Sequence, residues 1–206
     1  MLTTLSIFDN NFHVDHKNFI LKFCFDAFQE KDEPSHINMW DDDWGNNPST
    51  LPYLIYHSNR FKQDNGDVFA LLKFGEMIAI SGVNKSDFDP YVALGGVRTW
   101  VNKSYRGQFL VGRHLCPLQL AWAKQRNYKT LCLTFNEYNK RLIPYFKRSG
   151  LGIQKKRNVN SLFYNGQFHV DYPLKINNTK QYVVYHKIDE SYEPDWNSIR
   201  WVEEQQ

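Results

Sequence analysis

Between His16 and Gln29, apolar residues recur at helical spacing: Phe19, Phe23 and Ala27 stand at i, i+4 and i+8, with Ile20, Cys24 and Phe28 beside them. So wide a stripe predicts an amphipathic helix, with Asp15 placed to cap its start. Residues 30–50 are polar and turn-rich, and read as a loop with room for one helical turn. From residue 66 the period changes. Val68–Phe74 and Glu76–Val83 are two apolar runs joined tightly at Gly75, the pattern of an antiparallel hairpin. Tyr91–Val101 predicts a longer third strand, interrupted by Gly95 and Gly96, where a bulge or a closely approaching backbone is expected.

A polar turn, Asn102–Gly107, leads into a helix reaching about Arg126, within which Pro117 marks a kink or the true start. Lys129–Phe135 predicts a buried strand. Glu137–Arg148 predicts a second amphipathic helix that stops at Gly150, and Ser161–Phe163 and Gln181–Ile188 predict further strands. The order is helix, hairpin, long strand, helix, strand, helix, strands. This is α+β, with a mixed central sheet and one βαβ-like crossover in its middle. In such a fold a ligand is expected where the long strand hands over to its helix, beside the next strand.

Composition narrows the class. The chain has 206 residues, 42% hydrophobic and 16% aromatic, enough for a packed core and against intrinsic disorder. No run of about 18 apolar residues predicts a membrane span, and Met1–Asp9 lacks the basic flank and apolar stretch of a secretory signal. Three widely spaced cysteines, Cys24, Cys116 and Cys132, suit a reducing, cytoplasmic compartment better than a disulfide framework. Residues 1–188 read as one domain and 189–206 as an exposed acidic tail.

Charge adds the first chemical clue. Residues 1–97 hold 7 Lys and Arg against 14 Asp and Glu; residues 98–157 hold 14 against the single acid Glu137; residues 158–206 hold 4 against 7. The net values are −7, +13 and −3, within a total of +3. So basic a middle segment is either a solvated helix face or the seat of an anionic partner such as a phosphate group. The basic run begins at the expected handover, in Trp100–Leu115, WVNKSYRGQFLVGRHL. A helix start presents unpaired backbone N–H groups and a partial positive charge, which together suit a phosphate. Arg106, Gly107 and Gly112 frame this one, with Lys103 and Arg113 nearby.

At this point the sequence resembles the GNAT superfamily of N-acyltransferases. Members share a long strand, a pyrophosphate turn of the form Arg/Gln-x-x-Gly-x-Gly/Ala, a helix, a strand, and an Asn-x-x-Ala-x-x-Phe-Tyr-x-x-x-Gly-Phe segment. Asn139-Lys-Arg-Leu142-Ile-Pro-Tyr145-Phe146-Lys-Arg-Ser-Gly150-Leu151 keeps the Asn, the paired aromatics and the Gly of the last segment at family spacing. ALGGVRTWV has the texture of the long strand. The resemblance covers residues 68–151 well, the flanks loosely. TFNEYNK and GGVRTWV are also similar in wording to acyltransferase-like proteins of tailed phages. Counted back from Ala123 and Asn127, Gly112 falls on the final Gly/Ala of the turn, Leu110 on the first Gly, and Gly107 on the Arg/Gln position, one residue past Arg106.

The resemblance implies a three-layer fold with helices on both sheet faces, acetyl-CoA or another acyl-CoA as co-substrate, and acyl transfer to an amine. It places the pantetheine against Thr99, Trp100 and Val101. Phosphates then lie along Arg106, Gly107, Gln108, Phe109, Leu110, Val111 and Gly112, with Arg113 adding charge and Asn139 and Phe146 completing the cofactor surface. The transfer needs a base for the amine proton and an acid for the leaving thiolate. The family's acidic tyrosine falls by spacing on Phe146, with Tyr145 adjacent, and the long strand holds neither Glu nor His. Glu76, Glu137 and His57 are then the candidate bases and Tyr145 the candidate acid. Each residue also has a plainer reading: Tyr145 and Phe146 as core, Asn136 and Asn139 as caps, His114 as packing, Asp41–Asp43 as a solvated loop rather than a reader of a basic amine. His13-x-x-His16 lacks a cysteine or carboxylate at metal spacing, so no metal is expected.

Two other classes stay open. One is a GNAT-like binding module without turnover, favoured by Phe146 and by Leu110 in place of glycine. The other is nucleic-acid binding through the basic middle, including Lys155-Lys156-Arg157; the acidic flanks and the want of any nucleic-acid motif argue against it. A homodimer is compatible with the family, and the acceptor amine is not specified.

Overall fold

A computed structural model describes residues 1–32, 50–62, 64–136, 164–168 and 181–194. Its centre is a seven-stranded sheet formed by β1 (Leu2–Ser6), β2 (Gly66–Lys73), β3 (Glu76–Lys85), β4 (Val92–Val101), β5 (Thr130–Asn136), β6 (Tyr164–Phe168) and β7 (Gln181–Lys187). The spatial order is β1-β2-β3-β4-β5-β7-β6. Only β4 and β5 run parallel, joined by the crossover that the sequence predicts; every other neighbouring pair is antiparallel.

The β2–β3 hairpin turns through Phe74 and Gly75, both at positive φ, the handedness that lets a two-residue turn follow the twist of its strands. Alternate residues of β2 then feed two cores. Val68, Ala70 and Leu72 join one, Phe69 and Leu71 the other, so the strand reads as a continuous apolar run because both its faces are covered.

The first core lies under α2 (Lys17–Asp32) and α3 (Leu51–Tyr56), which follow the short α1 (Phe12–Asp15). α2 buries Ile20, Cys24 and Ala27, while Phe19, placed on the central line of the predicted stripe, stays 37% exposed. Asp15 does not cap α2: it ends α1, and His16 separates the two helices. α3 lies just past the stretch read as loop; Thr50 caps it by accepting from the Tyr53 amide, with Pro52 in its first turn. The second core lies under α4 (Cys116–Gln125), whose Leu118 and Leu120 flank the buried Trp122 and Ala123. Pro117 sits in its first turn, as its fixed φ favours. Helices therefore cover both sheet faces, as expected for the three-layer α+β class.

Past β7 the chain packs back on the sheet. Tyr192 donates its hydroxyl to both carboxylate oxygens of buried Asp89 at 2.7 and 2.6 Å, and Lys129 pairs with Asp189 at 3.1 Å. The helix expected at Glu137–Arg148 and the strand at Ser161–Phe163 lie outside the described residues. Among the described residues, no helix is long and apolar enough to cross a membrane.

Candidate active site

β4 and β5 are hydrogen-bonded partners only over Val92–Leu94 and Thr130–Cys132. Beyond Leu94 they part, β4 staying with β3 as far as Val101 and β5 with β7 as far as Asn136. The cause is in β4. Its register against β3 slips twice: Val83 faces both Gly95 and Gly96, and Ser81 faces both Arg98 and Thr99. Gly96 has φ +68° and Arg98 φ +49°, so the strand bends at each extra residue. The bulge expected at Gly95-Gly96 is present, and a second follows it.

A polar side chain from α4 fills the bulge. Gln119 is fully buried, accepts from the Gly96 amide at 3.1 Å, and donates to the Ser81 hydroxyl at 2.7 Å and the Gly82 carbonyl at 3.2 Å. Ser81 and Thr99 share a hydrogen bond of 2.6 Å, and the Thr99 hydroxyl lies 2.9 Å from the Gly96 carbonyl. A Cβ on Gly95 would stand 3.0 Å from Gln119 Oε1 and 3.1 Å from Leu131 Cδ1, so a side chain there would have to push its neighbours aside. Sequence reading missed Gln119, though a signal existed. Leu115, Gln119 and Ala123 fall at i, i+4 and i+8 on one helix face, and all three have no exposed surface. A glutamine on an apolar stripe implies a buried partner for each of its polar atoms.

The cleft mouth is the turn from β4 to α4. Asn102 accepts from the Ser104 amide to open a 3₁₀ turn over Lys103–Tyr105, and Arg106 Nε donates to the Val101 carbonyl at 3.0 Å. Gly107 (φ +81°) and Phe109 (φ +61°) both take left-handed backbone before the helix starts at Leu110. Lys103, Arg106, Gly107, Gln108 and Arg113 are exposed around that start, and the Arg113 guanidinium lies 5.9 Å from the Phe109 ring centre. The first turn is π-helical, Val111–Leu115. A π-turn takes one residue more than an α-turn. The positive φ at Phe109 is the conformation glycine favours. Gly112 is buried inside the π-turn.

Several sequence candidates are brought together here: Val101 at the end of β4, the turn Arg106–Arg113, and Trp100, which packs toward the α2 and α3 side while Val101 packs toward α4. Glu76 is not among them. It opens β3, exposed, three residues past the Ala79 that pairs with Val101, about 10 Å along the strand beyond the end of β4. His57 ends α3, its ring 5.9 Å from that of Tyr53. Tyr145, Glu137, Asn139 and Phe146 lie outside the described residues. The cysteines offer no nucleophile: burial pushes the Cys116 thiol up to about 12, and raises Cys24 and Cys132 as well.

The opposite end of the sheet holds a separate cavity of about 400 Å³, lined by Ser6, His13, Asp67 and Arg126 among others. Asp67 accepts from Ser6 at 2.6 Å and from the Val68 amide at 2.7 Å, and burial raises its carboxyl above the usual range. Among the described residues, no cluster of three or more His, Cys, Asp or Glu stands at metal-binding distance.

A mixed sheet with one parallel pair splaying beside a basic strand-to-helix turn defines the fold of GNAT acetyltransferases. Solved structures agree. An acetyltransferase of the GNAT family from Staphylococcus aureus Mu50 matches with a TM-score of 0.58 at 12% identity over 92% of this chain and 100% of its own. One from Streptococcus pneumoniae gives 0.58 at 12%, over 91% and 100%. The ribosomal-protein-S18-alanine N-acetyltransferase of Escherichia coli gives 0.53 at 16%, over 94% and 97%. No protein-family model matches the chain, and no curated protein matches it by sequence.

Proposed function

We propose that this protein is an acyl-CoA-dependent N-acetyltransferase that moves an acetyl group from acetyl-CoA to an amine. The observation that carries the reading is the parting of β4 from β5 directly beside a basic helix start. A parted parallel pair offers unpaired backbone edges to the amides of pantetheine, and the helix start at its mouth offers N–H groups and positive charge to a pyrophosphate. In this reading the pantetheine lies along Thr99–Val101. The phosphates rest on Arg106–Gly112, with Lys103 and Arg113 adding charge.

The amine nitrogen attacks the thioester carbonyl, the C–S bond breaks, and the CoA sulfur leaves as a thiolate that must be protonated. A backbone N–H of β4 stabilises the oxyanion. That donor is not Gly96, whose N–H is already held by Gln119. We assign the acid to Tyr145. Of the candidate bases, Glu137 directly follows the last residue of β5, the strand that walls the cleft, whereas Glu76 stands past the end of β4. A non-catalytic binding module is the second reading, supported by Leu110 where the family's turn has its first glycine.

Isothermal titration with acetyl-CoA tests the proposal. Micromolar binding is expected, and the exposed double variant Arg106→Glu/Arg113→Glu should abolish it without lowering Tm. Release of free CoA thiol in the presence of a panel of primary amines then separates the two readings. Absence of binding to the wild-type chain overturns the acetyltransferase reading and leaves the module.

A further inference from the structure

We infer that Gln119 is the positioning residue of the acyl cleft: its carboxamide, inserted between β3 and β4, holds the β4 bulge in the shape that keeps β4 and β5 apart. The inference rests on the acyl-CoA reading and adds to it a residue that touches neither co-substrate nor acceptor.

A parallel neighbour satisfies its partner's amides by alternate pairing, and pairing of β4 with β5 stops at Leu94 and Cys132. Two residues later the Gly96 amide points to Gln119 Oε1 instead of to a strand, so the ladder cannot extend past it. The same carboxamide gives its N–H bonds to Ser81, which faces one slip in β3–β4 register, and to the Gly82 carbonyl between the two slips. Ser81 passes the constraint to Thr99, whose hydroxyl returns to the Gly96 carbonyl. The loop of bonds is closed, and Gly96, Ser81 and Thr99 each sit on a bulged position or opposite one.

Leucine at 119 would have similar bulk and none of these bonds. The Gly96 amide and the Gly82 carbonyl would then both lose the partner that holds them apart at the bulge. The phosphate end of the ligand lies beyond the reach of Gln119, since the turn has its own ties: Asn102 to Ser104 and Arg106 to Val101. A positioning role therefore predicts a split. The part of acetyl-CoA that runs along β4 loses affinity and the part that sits on the turn keeps it.

The test compares wild type, Gln119→Leu and Gln119→Glu by titration with acetyl-CoA and with adenosine 3′,5′-bisphosphate, which carries phosphates but no pantetheine. Gln119→Leu should lose about tenfold or more in acetyl-CoA affinity while its affinity for the bisphosphate stays within about twofold of wild type. In Gln119→Glu an ionised carboxylate faces the Gly82 carbonyl, and only the protonated form can donate, so acetyl-CoA affinity should recover as pH falls while wild type does not follow. Should Gln119→Leu fail to fold, Ser81→Ala removes one buried link of the network on β3, away from the co-substrate, and should show the same split at smaller size. Equal loss of both ligands, or no loss of either, overturns the inference and leaves the acyl-CoA reading standing. A wild-type chain that binds neither ligand overturns both.

Discussion

Strand β4 is closed at one end and open at the other. Over Val92–Leu94 it is buried, zipped to β5, and followed on the same sheet end by a clamp between Tyr192 and Asp89. Over Gly95–Val101 it is half-exposed, bulged twice, and supported by Gln119, Ser81 and Thr99 in place of a second strand. The closed end is held by apolar contact with Leu131 and its neighbours, the open end by directional bonds to polar atoms. Apolar packing is indifferent to small shifts of register, whereas a buried amide demands its partner at one distance. Stability is therefore expected to concentrate at the closed end and ligand affinity at the open one.

Leu131 is the place to break the closed end. It is 2% exposed and packs in the second core, so Leu131→Ala should cost about 2–5 kcal/mol in chemical denaturation. Gly95→Ala strikes the junction. Its Cβ would stand 3.0 Å from Gln119 Oε1, so a loss of about 1–3 kcal/mol is expected together with weaker acetyl-CoA binding. If affinity is untouched there, the division between the two ends fails. Tyr192→Phe removes the clamp on Asp89 and should lower stability by about 1–3 kcal/mol while leaving acetyl-CoA affinity as it is.

A smaller effect is expected at Asp67, where burial, outweighing the hydrogen bonds from Ser6 and Val68, raises the carboxyl pKa. The folded state then holds the proton more tightly than the unfolded chain. That contribution is complete below the ordinary carboxylate pKa and is lost as pH rises through the raised value. Asp67→Asn should match wild type in acid and exceed it at pH 7, by at most about 1 kcal/mol after solvent screening, as read by Tm across a pH series. Smallest of all is the response to alkylation. With Cys116 pushed up to about 12 and all three thiols buried, iodoacetamide at pH 8 should label the native protein negligibly and the denatured chain fully.

Much of this was legible from local pattern. The hairpin at Gly75, the glycine interruption of β4, the parallel crossover to β5 and the strand at Gln181–Lys187 all follow from periodicity and turn residues. The stripe on α2 was read one residue off, with Phe19 at its centre. Periodicity marks an apolar face but not which edge of it meets the sheet, and Ile20 and Cys24 face the core. The tail from residue 189 reads as solvated because it is acidic, yet Asp189 and Tyr192 find their partners at Lys129 and Asp89, 60 and 103 residues away.

What the sequence by itself determined is the set of elements and the place of the handover from β4 to α4, since helical and strand periods, paired glycines and a basic run are local properties of the chain. The tertiary structure alone decided that the helix after the handover opens with a π-turn and that Gln119 bonds to the bulge of β4. The second depends on where polar atoms find their partners across 23 or more residues of chain, and spacing along the sequence carries no record of that distance.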